Sequence, residues 1–187
     1  ADGDIAALFE QANRALGYDL RAICFEGPAE ELTKSSHCQP AIFVTSLACR
    51  LAFRKRYPNH AFDLAAGLSL GEWSALHEAG VLGFAEAIRI LEARGRFMQE
   101  ACEETPGGMV SVMNLAREQV AALCEQSGAH MANLNSDRQI VLSGTQEAVE
   151  TAGKLAREAG GKSIVLKVAG AFHSPLMNSP AKNWRPS

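Results

Sequence analysis

Residues 62–80 constrain the fold of this chain more than any other stretch. Residues 62–66 are apolar except for Asp63, residues 67–71 read Gly-Leu-Ser-Leu-Gly, and residues 72–79 form a helix-favouring run. This order predicts a buried strand, a sharp turn and a helix, the context in which a G-x-S-x-G motif presents a nucleophilic serine, here Ser69. We expect both glycines to be required, because a β-carbon at either position would crowd the helix or strain the backbone of the serine.

The predicted position of Ser69, at the N-terminus of a helix, suits acyl chemistry. The backbone N–H of Leu70 and the helix dipole would stabilise an oxyanion formed at a carbonyl that the serine attacks. The five-residue pattern alone has little specificity, since it arises by chance in roughly one chain in ten to twenty. A glycine-rich structural turn is therefore the alternative, and the flanking strand and helix favour the nucleophile.

Composition excludes several classes of function. The chain has 187 residues, which is enough for one sizeable domain or a domain with a small insert. Its net charge is −3. It has no basic excess to suggest nucleic acid, no apolar segment long enough to span a membrane and no signal-peptide pattern. Its five cysteines contain no C-x-x-C pair. We therefore expect a cytoplasmic protein with reduced cysteines and no metal site.

Helical periodicity dominates the first half of the chain. It predicts helices over residues 4–16, 39–57 and 84–103, with an irregular piece between the first two that holds one helical turn at 29–32. The helix over 39–57 is apolar nearly all round, so we expect it to be buried against a sheet. Pro40 suits its first turn.

Arg94 breaks the pattern of the helix over 84–103. The apolar arc of that helix includes Phe84, Ile88 and Leu91, and Arg94 falls beside it rather than among the charged residues opposite. A guanidinium on an inward face needs an anionic partner or a polar cavity, because it cannot lose its charge. An internal salt bridge or a snorkelling side chain would meet this need as well as a bound anion.

The pattern changes after residue 106. Strands are predicted at 109–114, 130–134, 139–142 and 163–168, and helices at 117–126 and 146–159. The order βαββαβ is that of a ferredoxin-like module. Asn135 lies in the predicted turn between the second and third strands, where it would either face a cleft or simply form the turn.

His173 is the candidate general base for Ser69. It lies in a loop after the last strand and follows the serine in chain order. We expect it to be more exposed than His77 or His130. A surface position without a catalytic role is the alternative for a single loop histidine.

Three segments resemble one family, the malonyl-CoA:acyl carrier protein transacylases. The string Gly-Leu-Ser-Leu-Gly-Glu-Trp-Ser-Ala-Leu resembles the family's active-site signature, with Leu68 and Trp73 where many members have His and Tyr. The segment 94–101, Arg-Gly-Arg-Phe-Met-Gln-Glu-Ala, is similar to the helix whose arginine binds the malonyl carboxylate. The segment 170–177, Gly-Ala-Phe-His-Ser-Pro-Leu-Met, is similar to the histidine motif.

The resemblance implies a fold. It is an α/β fold, a partial α/β-hydrolase-like parallel-sheet domain with a nucleophile elbow and an inserted ferredoxin-like subdomain. Residues 1–106 would form the large subdomain, 107–168 the insert, and 169–187 the return to the large subdomain.

The resemblance also implies an activity in fatty acid biosynthesis. His173 would take the proton of Ser69, which attacks malonyl-CoA, and the phosphopantetheine thiol of acyl carrier protein would then attack the acyl-serine. Arg94 would bind the malonyl carboxylate, and Leu70, Phe172 and Asn135 would contribute to the substrate site. No metal or redox cofactor is implied.

The chain departs from the family at both ends. Members begin earlier, with a strand ending in Gly-Gln-Gly-x-Gln, and continue past the histidine; neither part is present, so we expect a chain truncated at both ends. Two other interpretations stay open: a non-catalytic fragment, and an α/β-hydrolase-type thioesterase or esterase. The hydrolase would need an acid, for which Asp137 and Glu147 are the candidates.

Overall fold

A computed structural model describes residues 3–178. They divide into two compact units, one up to Arg96 and one from Phe97, and the division falls inside a continuous helix. Each unit has its own apolar core. The helices that begin in the first unit are α1 (Gly3–Leu16), α2 (Leu20–Glu26), α3 (Ala29–Thr33), α4 (Ser35–Arg56), α5 (Leu70–Glu78) and α6 (Phe84–Glu104).

Helix α4 is the centre of the first unit. It packs against α1, α2, α3 and α5, and the core around it includes Phe9, Leu20, Phe43, Val44, Ile88 and Leu91. The prediction that this helix is buried against a sheet is wrong. Its burial comes from other helices, and the last turn, from Phe53 to Arg56, is exposed.

Pro40 lies in the interior of α4, so its predicted place in the first turn is wrong. The helix begins at Ser35, more than a turn before the sequence pattern indicated. A proline cannot donate to the carbonyl four residues earlier, which is that of Ser36. The hydroxyl of Tyr18 donates to this carbonyl at 3.5 Å. The helix therefore continues through the proline with that carbonyl still hydrogen-bonded.

Helix α2 replaces a stretch predicted to be irregular. Its N-cap is Asp19, whose carboxylate accepts a hydrogen bond from the N–H of Ala22 at 3.0 Å. The side chain of Asn13 at the end of α1 donates to Asp19 and accepts from the N–H of Leu20. An aspartate followed by a short apolar run is a helix-start signal that could have predicted α2.

The segment 62–66 forms no strand and is exposed, contrary to the prediction. Leu64 is 90% exposed and Phe62 is 52% exposed. An extended segment becomes a strand only when a neighbour pairs with its backbone, and none of the four strands in the described part of the chain does so. It leads to Ser69 without regular secondary structure.

The second unit has the predicted ferredoxin-like topology. Its elements are β1 (Gly108–Met113), α7 (Arg117–Ser127), β2 (His130–Ser136), β3 (Gln139–Gly144), α8 (Gln146–Glu158), β4 (Lys162–Val165) and a short 3-10 helix, Pro175–Met177. The four strands lie in the order β2-β3-β1-β4 with antiparallel neighbours. Buried residues of the sheet, among them Val110, Val112 and Leu142, pack in one core with Val120 of α7 and Val149 of α8.

Asn135 lies in β2 and not in the turn predicted for it. The strand continues to Ser136, and the turn consists of Asp137 and Arg138. The pairing register shifts between Leu134 and Ser136, which makes Asn135 the extra residue of a β-bulge. The bulge explains the error, because it lets an exposed polar residue remain within the strand.

No helix within residues 3–178 combines the length and the apolar character needed to cross a membrane.

Candidate active site

Ser69 has a strained backbone at the start of α5. Its φ is 54° and its ψ is −110°, a conformation that residues with a side chain rarely adopt. It occupies the N-cap position, where serine usually accepts a hydrogen bond from the helix backbone, but its side chain makes no such bond. The sharp turn predicted by the motif is therefore present, its backbone is strained at Ser69, and the hydroxyl is directed elsewhere.

The two glycines of the motif differ in their importance. A β-carbon at Gly67 would overlap the carbonyl group of Gly71, so the segment entering the turn passes against the first turn of α5. A β-carbon at Gly71 would meet nothing within 4 Å. The prediction that a side chain would be excluded is supported by the geometry at Gly67 and is wrong at Gly71.

Arg94 reaches Ser69 from α6. Its side chain is half-buried; Nη2 donates to Ser69 Oγ at 2.9 Å and Nη1 donates to Gln39 Oε1. Burial lowers the pKa of Arg94, and the negative charge of Glu72 opposes that shift. The guanidinium nevertheless remains charged at neutral pH. A cation thus lies in direct contact with the candidate nucleophile.

A close approach of two helices places this arginine. A β-carbon at Gly95 would overlap the carbonyl of Ser35, so α6 crosses the first turn of α4 almost in backbone contact. The next turn of α4 carries Gln39, which is only 7% exposed. Gln39 was not predicted from the sequence. It lies at the start of the predicted helix, after Ser35, Ser36 and His37, where a polar side chain is ordinary.

Leu70 is the first residue of α5. Its side chain packs against the core of the first unit. The N–H groups of the first helical turn have no acceptor within the helix, so that of Leu70 belongs to the set that a helix N-terminus offers to an anion. The predicted oxyanion role of Leu70 requires this position.

His173 lies in a loop that is fixed within the second unit. A β-carbon at Gly170 would overlap Cys102 on α6, so the loop runs against that helix. The hydroxyl of Ser174 donates to the carbonyl of Ala171 at 2.7 Å and caps the following 3-10 helix. His173 itself is exposed with a φ of 60°, and Phe172 is half-buried.

A positive φ is shared by both candidate catalytic residues. Among residues 3–178, Ser69, Asn114 and His173 are the residues other than glycine that have positive φ. Asparagine and histidine tolerate positive φ better than most residues, whereas serine adopts it less readily, and the ψ of −110° places Ser69 outside the usual left-handed region. Such strain at Ser69 persists where the surrounding structure enforces it, which is often at functional sites.

The other histidines and the candidate acids have ordinary environments. His77 packs against Phe43 and Phe84, and its Nδ1 lies 2.9 Å from the carbonyl oxygen of Leu82. His77 is half-buried and His173 is exposed, as expected, whereas His130 in β2 is exposed like His173. The candidate acids of the hydrolase interpretation, Asp137 in a turn and Glu147 in α8, are both exposed.

The structure therefore brings together part of the predicted site. Ser69, Leu70 and Arg94 meet in the first unit, together with Gln39. Phe172, His173 and Asn135 belong to the second unit, and the pairing of His173 with Ser69 stays a prediction. Within the described residues, no three His, Cys, Asp or Glu side chains are grouped so as to hold a metal ion.

Comparison with known proteins supplies the family. The family model described as "Acyl transferase domain" matches residues 1–185. The malonyl CoA-acyl carrier protein transacylase of Haemophilus influenzae is 40% identical over 179 residues, which cover 93% of this chain and 57% of that protein. The protein of the same name from Escherichia coli is 42% identical over 178 residues, which cover 92% of this chain and 57% of that protein. The chain thus spans a little over half the length of these curated relatives.

Solved structures confirm the predicted fold class. A malonyl CoA-acyl carrier protein transacylase from Clostridium perfringens superposes with a TM-score of 0.89 at 36% identity, over 98% of this chain and 58% of that one. A malonyl-transacylase in complex with a type II PKS acyl-carrier protein superposes with a TM-score of 0.89 at 38% identity, and the match covers 96% of this chain and 59% of that one. The elbow at Ser69, the arginine on α6 and these matches together show that the chain belongs to the acyl transferase domain family.

Proposed function

We propose that the protein transfers a malonyl group from malonyl-CoA to the phosphopantetheine thiol of acyl carrier protein, in fatty acid biosynthesis in the cytoplasm. The observation that carries the proposal is the contact of Arg94 with Ser69. An arginine 2.9 Å from a strained serine places a carboxylate-binding group within reach of an acyl group attached to that serine. A simple esterase has no need of such a cation.

Ser69 and His173 carry the chemistry of the proposal. The imidazole of His173 takes the proton of Ser69 while Oγ attacks the thioester carbonyl, and the N–H of Leu70 stabilises the oxyanion. Coenzyme A leaves as the thiol and the malonyl-serine remains. The phosphopantetheine thiol then attacks this ester, and the proton returns to the serine.

Arg94 gives the proposal its specificity. A bidentate pair with the distal carboxylate stabilises malonyl, and an acetyl group would leave the half-buried guanidinium without that partner. Malonyl and acyl carrier protein also appear in the names of the relatives. Phe172 and Asn135 complete the substrate site in this proposal, and no metal or redox cofactor takes part.

Intact-mass spectrometry after incubation with malonyl-CoA tests the proposal. We expect an adduct of one malonyl group that is absent in Ser69→Ala and disappears when holo-acyl carrier protein is added. Ser74→Ala, which removes another hydroxyl from α5, is the matched control and should still form the adduct. A folded sample that forms no adduct would favour the non-catalytic interpretation, and release of malonate to water without transfer would favour the hydrolase.

Arg94→Ala separates a substrate contact from a structural role. Because the carboxylate loses its partner, we expect malonyl adduct formation to fall by about tenfold or more, while acetyl adduct formation from acetyl-CoA stays or rises. The measurement is the ratio of the two rates in the same mass assay. Equal loss with both thioesters would show that Arg94 is structural.

A further inference from the structure

The hydroxyl of Ser69 is already occupied in the unliganded structure. Arg94 Nη2 donates a hydrogen bond to Oγ at 2.9 Å, so an oxygen lone pair faces a cation. Attack on a thioester needs that electron density, and the reacting carbon must come to within about 3–3.5 Å of the oxygen. A guanidinium at 2.9 Å withdraws density from the oxygen and fills part of the space around it.

The arginine is held in this position by groups other than the serine. Nη1 donates to the amide oxygen of the buried Gln39. The backbone directly after Arg94 is also fixed, because Gly95 lies against the carbonyl of Ser35. Glu72, on the first turn of α5, lies close enough for its charge to act on the guanidinium. The contact with Ser69 is thus part of an ordered network that includes neighbouring helices.

A carboxylate competes with the serine for this guanidinium. A charge-assisted, bidentate pair is stronger than a bond to a neutral hydroxyl oxygen, and both would need Nη2. We propose that Arg94 restrains Ser69 until a carboxylate binds, so that the distal carboxylate of the substrate releases the nucleophile that attacks it. This inference rests on the proposed function and adds to it a role for Arg94 in the reactivity of the serine.

The restraint differs from a simple carboxylate clamp in what it predicts. A clamp affects only acyl groups that carry a carboxylate. A restraint also slows the reaction of Ser69 with neutral reagents, and any small carboxylate relieves it. Reactivity toward a neutral reagent that has no carboxylate therefore separates the two roles.

Phenylmethylsulfonyl fluoride is a suitable reagent. Oγ attacks its sulfur, an O–S bond forms as the S–F bond breaks, fluoride leaves, and the serine proton passes to the buffer. The rate at Ser69 is followed by intact mass, with Ser69→Ala as the blank. Each protein is assayed with sodium formate and with sodium chloride at the same ionic strength.

We expect formate to accelerate sulfonylation of the wild-type chain, and chloride to leave it unchanged. Arg94→Ala should react about tenfold faster than wild type in chloride, the effect of losing one charge-assisted hydrogen bond, and formate should no longer matter. Arg96→Ala removes the same charge from an exposed position two residues away and should behave as wild type. Where Arg94→Ala does not fold, Arg94→Gln takes its place.

The proposal is overturned by a wild-type rate that formate does not raise, by a slower Arg94 variant, or by absence of sulfonylation in both. The wild-type comparison decides the matter even without a variant. Formation of the malonyl adduct is measured separately. A malonyl adduct without the formate effect would support the proposed function and exclude the restraint. The formate effect without a malonyl adduct would support the restraint and contradict the proposed function.

Discussion

Ser69 combines two unfavourable features in one residue. An N-cap serine that bonds the helix backbone contributes about 1 kcal/mol to stability, and here that bond is absent. The backbone conformation adds a penalty of about 1–3 kcal/mol. The hydroxyl instead accepts from Arg94, whose other terminal nitrogen donates to Gln39. A residue held against its own preference by its surroundings is typical of a reactive group.

Gln39→Glu tests whether Gln39 positions Arg94. The substitution keeps the shape of the side chain but adds a carboxylate beside Nη1, which competes with the substrate carboxylate for the same guanidinium. We expect malonyl adduct formation to fall by about tenfold, with acetyl adduct formation much less affected. Mass-spectrometric rates with both thioesters measure the change.

The matched control is Gln11→Glu, which adds the same charge at an exposed position on α1. It should leave both rates as they are. A Gln39→Glu protein that loses both activities in equal proportion would show that Gln39 serves only the packing of α4.

The site could be predicted only where a single residue conflicted with its local pattern. Ser69 was found because its motif lies between a predicted strand and a predicted helix, and Arg94 because it interrupts an apolar arc. Gln39 was not found, since its partner is 55 residues away in sequence. A hydrogen bond between two helices depends on their packing, which one helical pattern does not specify.

At the scale of elements, the tight turn at Ser69 depends on Gly67. Gly67→Ala would place a methyl group inside the carbonyl of Gly71, so we expect it to abolish adduct formation and to destabilise the first unit by about 1–3 kcal/mol. Gly71→Ala has open space and lies within α5, where alanine is favoured over glycine by up to about 1 kcal/mol. It should be neutral or stabilising.

Urea unfolding and the malonyl adduct assay compare these two variants directly. The same effect of both substitutions would contradict the geometry of the turn, because only one of the two positions is crowded.

Tyr18 connects the chain after α1 to the first turn of α4, and its environment makes stability depend on alkaline pH. Burial, with a smaller contribution from the charge of Glu92, raises the pKa of Tyr18 to about 12. The pKa of tyrosine in an unfolded chain is about 10, so ionisation favours the unfolded chain between about pH 10 and pH 12. This contribution to stability is complete below about pH 10 and is lost as the pH rises toward about 12.

Tyr18→Phe removes the ionisation and the long hydrogen bond to Ser36. We expect a loss of about 0.5 kcal/mol at neutral pH, and a difference from wild type that narrows or reverses above about pH 10. Urea unfolding at a series of pH values measures both. A difference that stays constant across this range would contradict the assigned environment of Tyr18.

Elements with strong local periodicity were predicted well, and those that depend on neighbours were not. The βαββαβ order and α6 follow from runs of apolar residues at regular spacing. The start of α4 was misplaced because a proline normally belongs to a first turn, whereas here Tyr18 accommodates it in the interior. The segment 62–66 has the composition of a buried strand, but strand formation requires a partner that this composition does not supply.

At the scale of the molecule, the apolar surface of the first unit is notable. Leu64, Phe62 and Leu68 are 90%, 52% and 66% exposed on the stretch of chain that enters the turn at Ser69. Arg50 lies over the ring of Phe62 at 4.8 Å, and its Nη1 is buried without a hydrogen-bond partner among the described residues. Contiguous exposed apolar groups next to an unpaired backbone favour association.

We therefore expect this chain, expressed by itself, to self-associate as its concentration rises, and Leu64→Lys to shift it toward the monomer. A charge on the most exposed apolar residue of the stretch opposes both apolar contact and pairing of the backbone with a second copy. Sedimentation velocity over a series of concentrations measures the effect. Val81→Lys, which places the same charge at another exposed apolar position (66% exposed), is the control and should associate as the wild type does. A chain that stays monomeric throughout, or equal effects of the two lysines, would show that the stretch before Ser69 is not the surface through which copies meet.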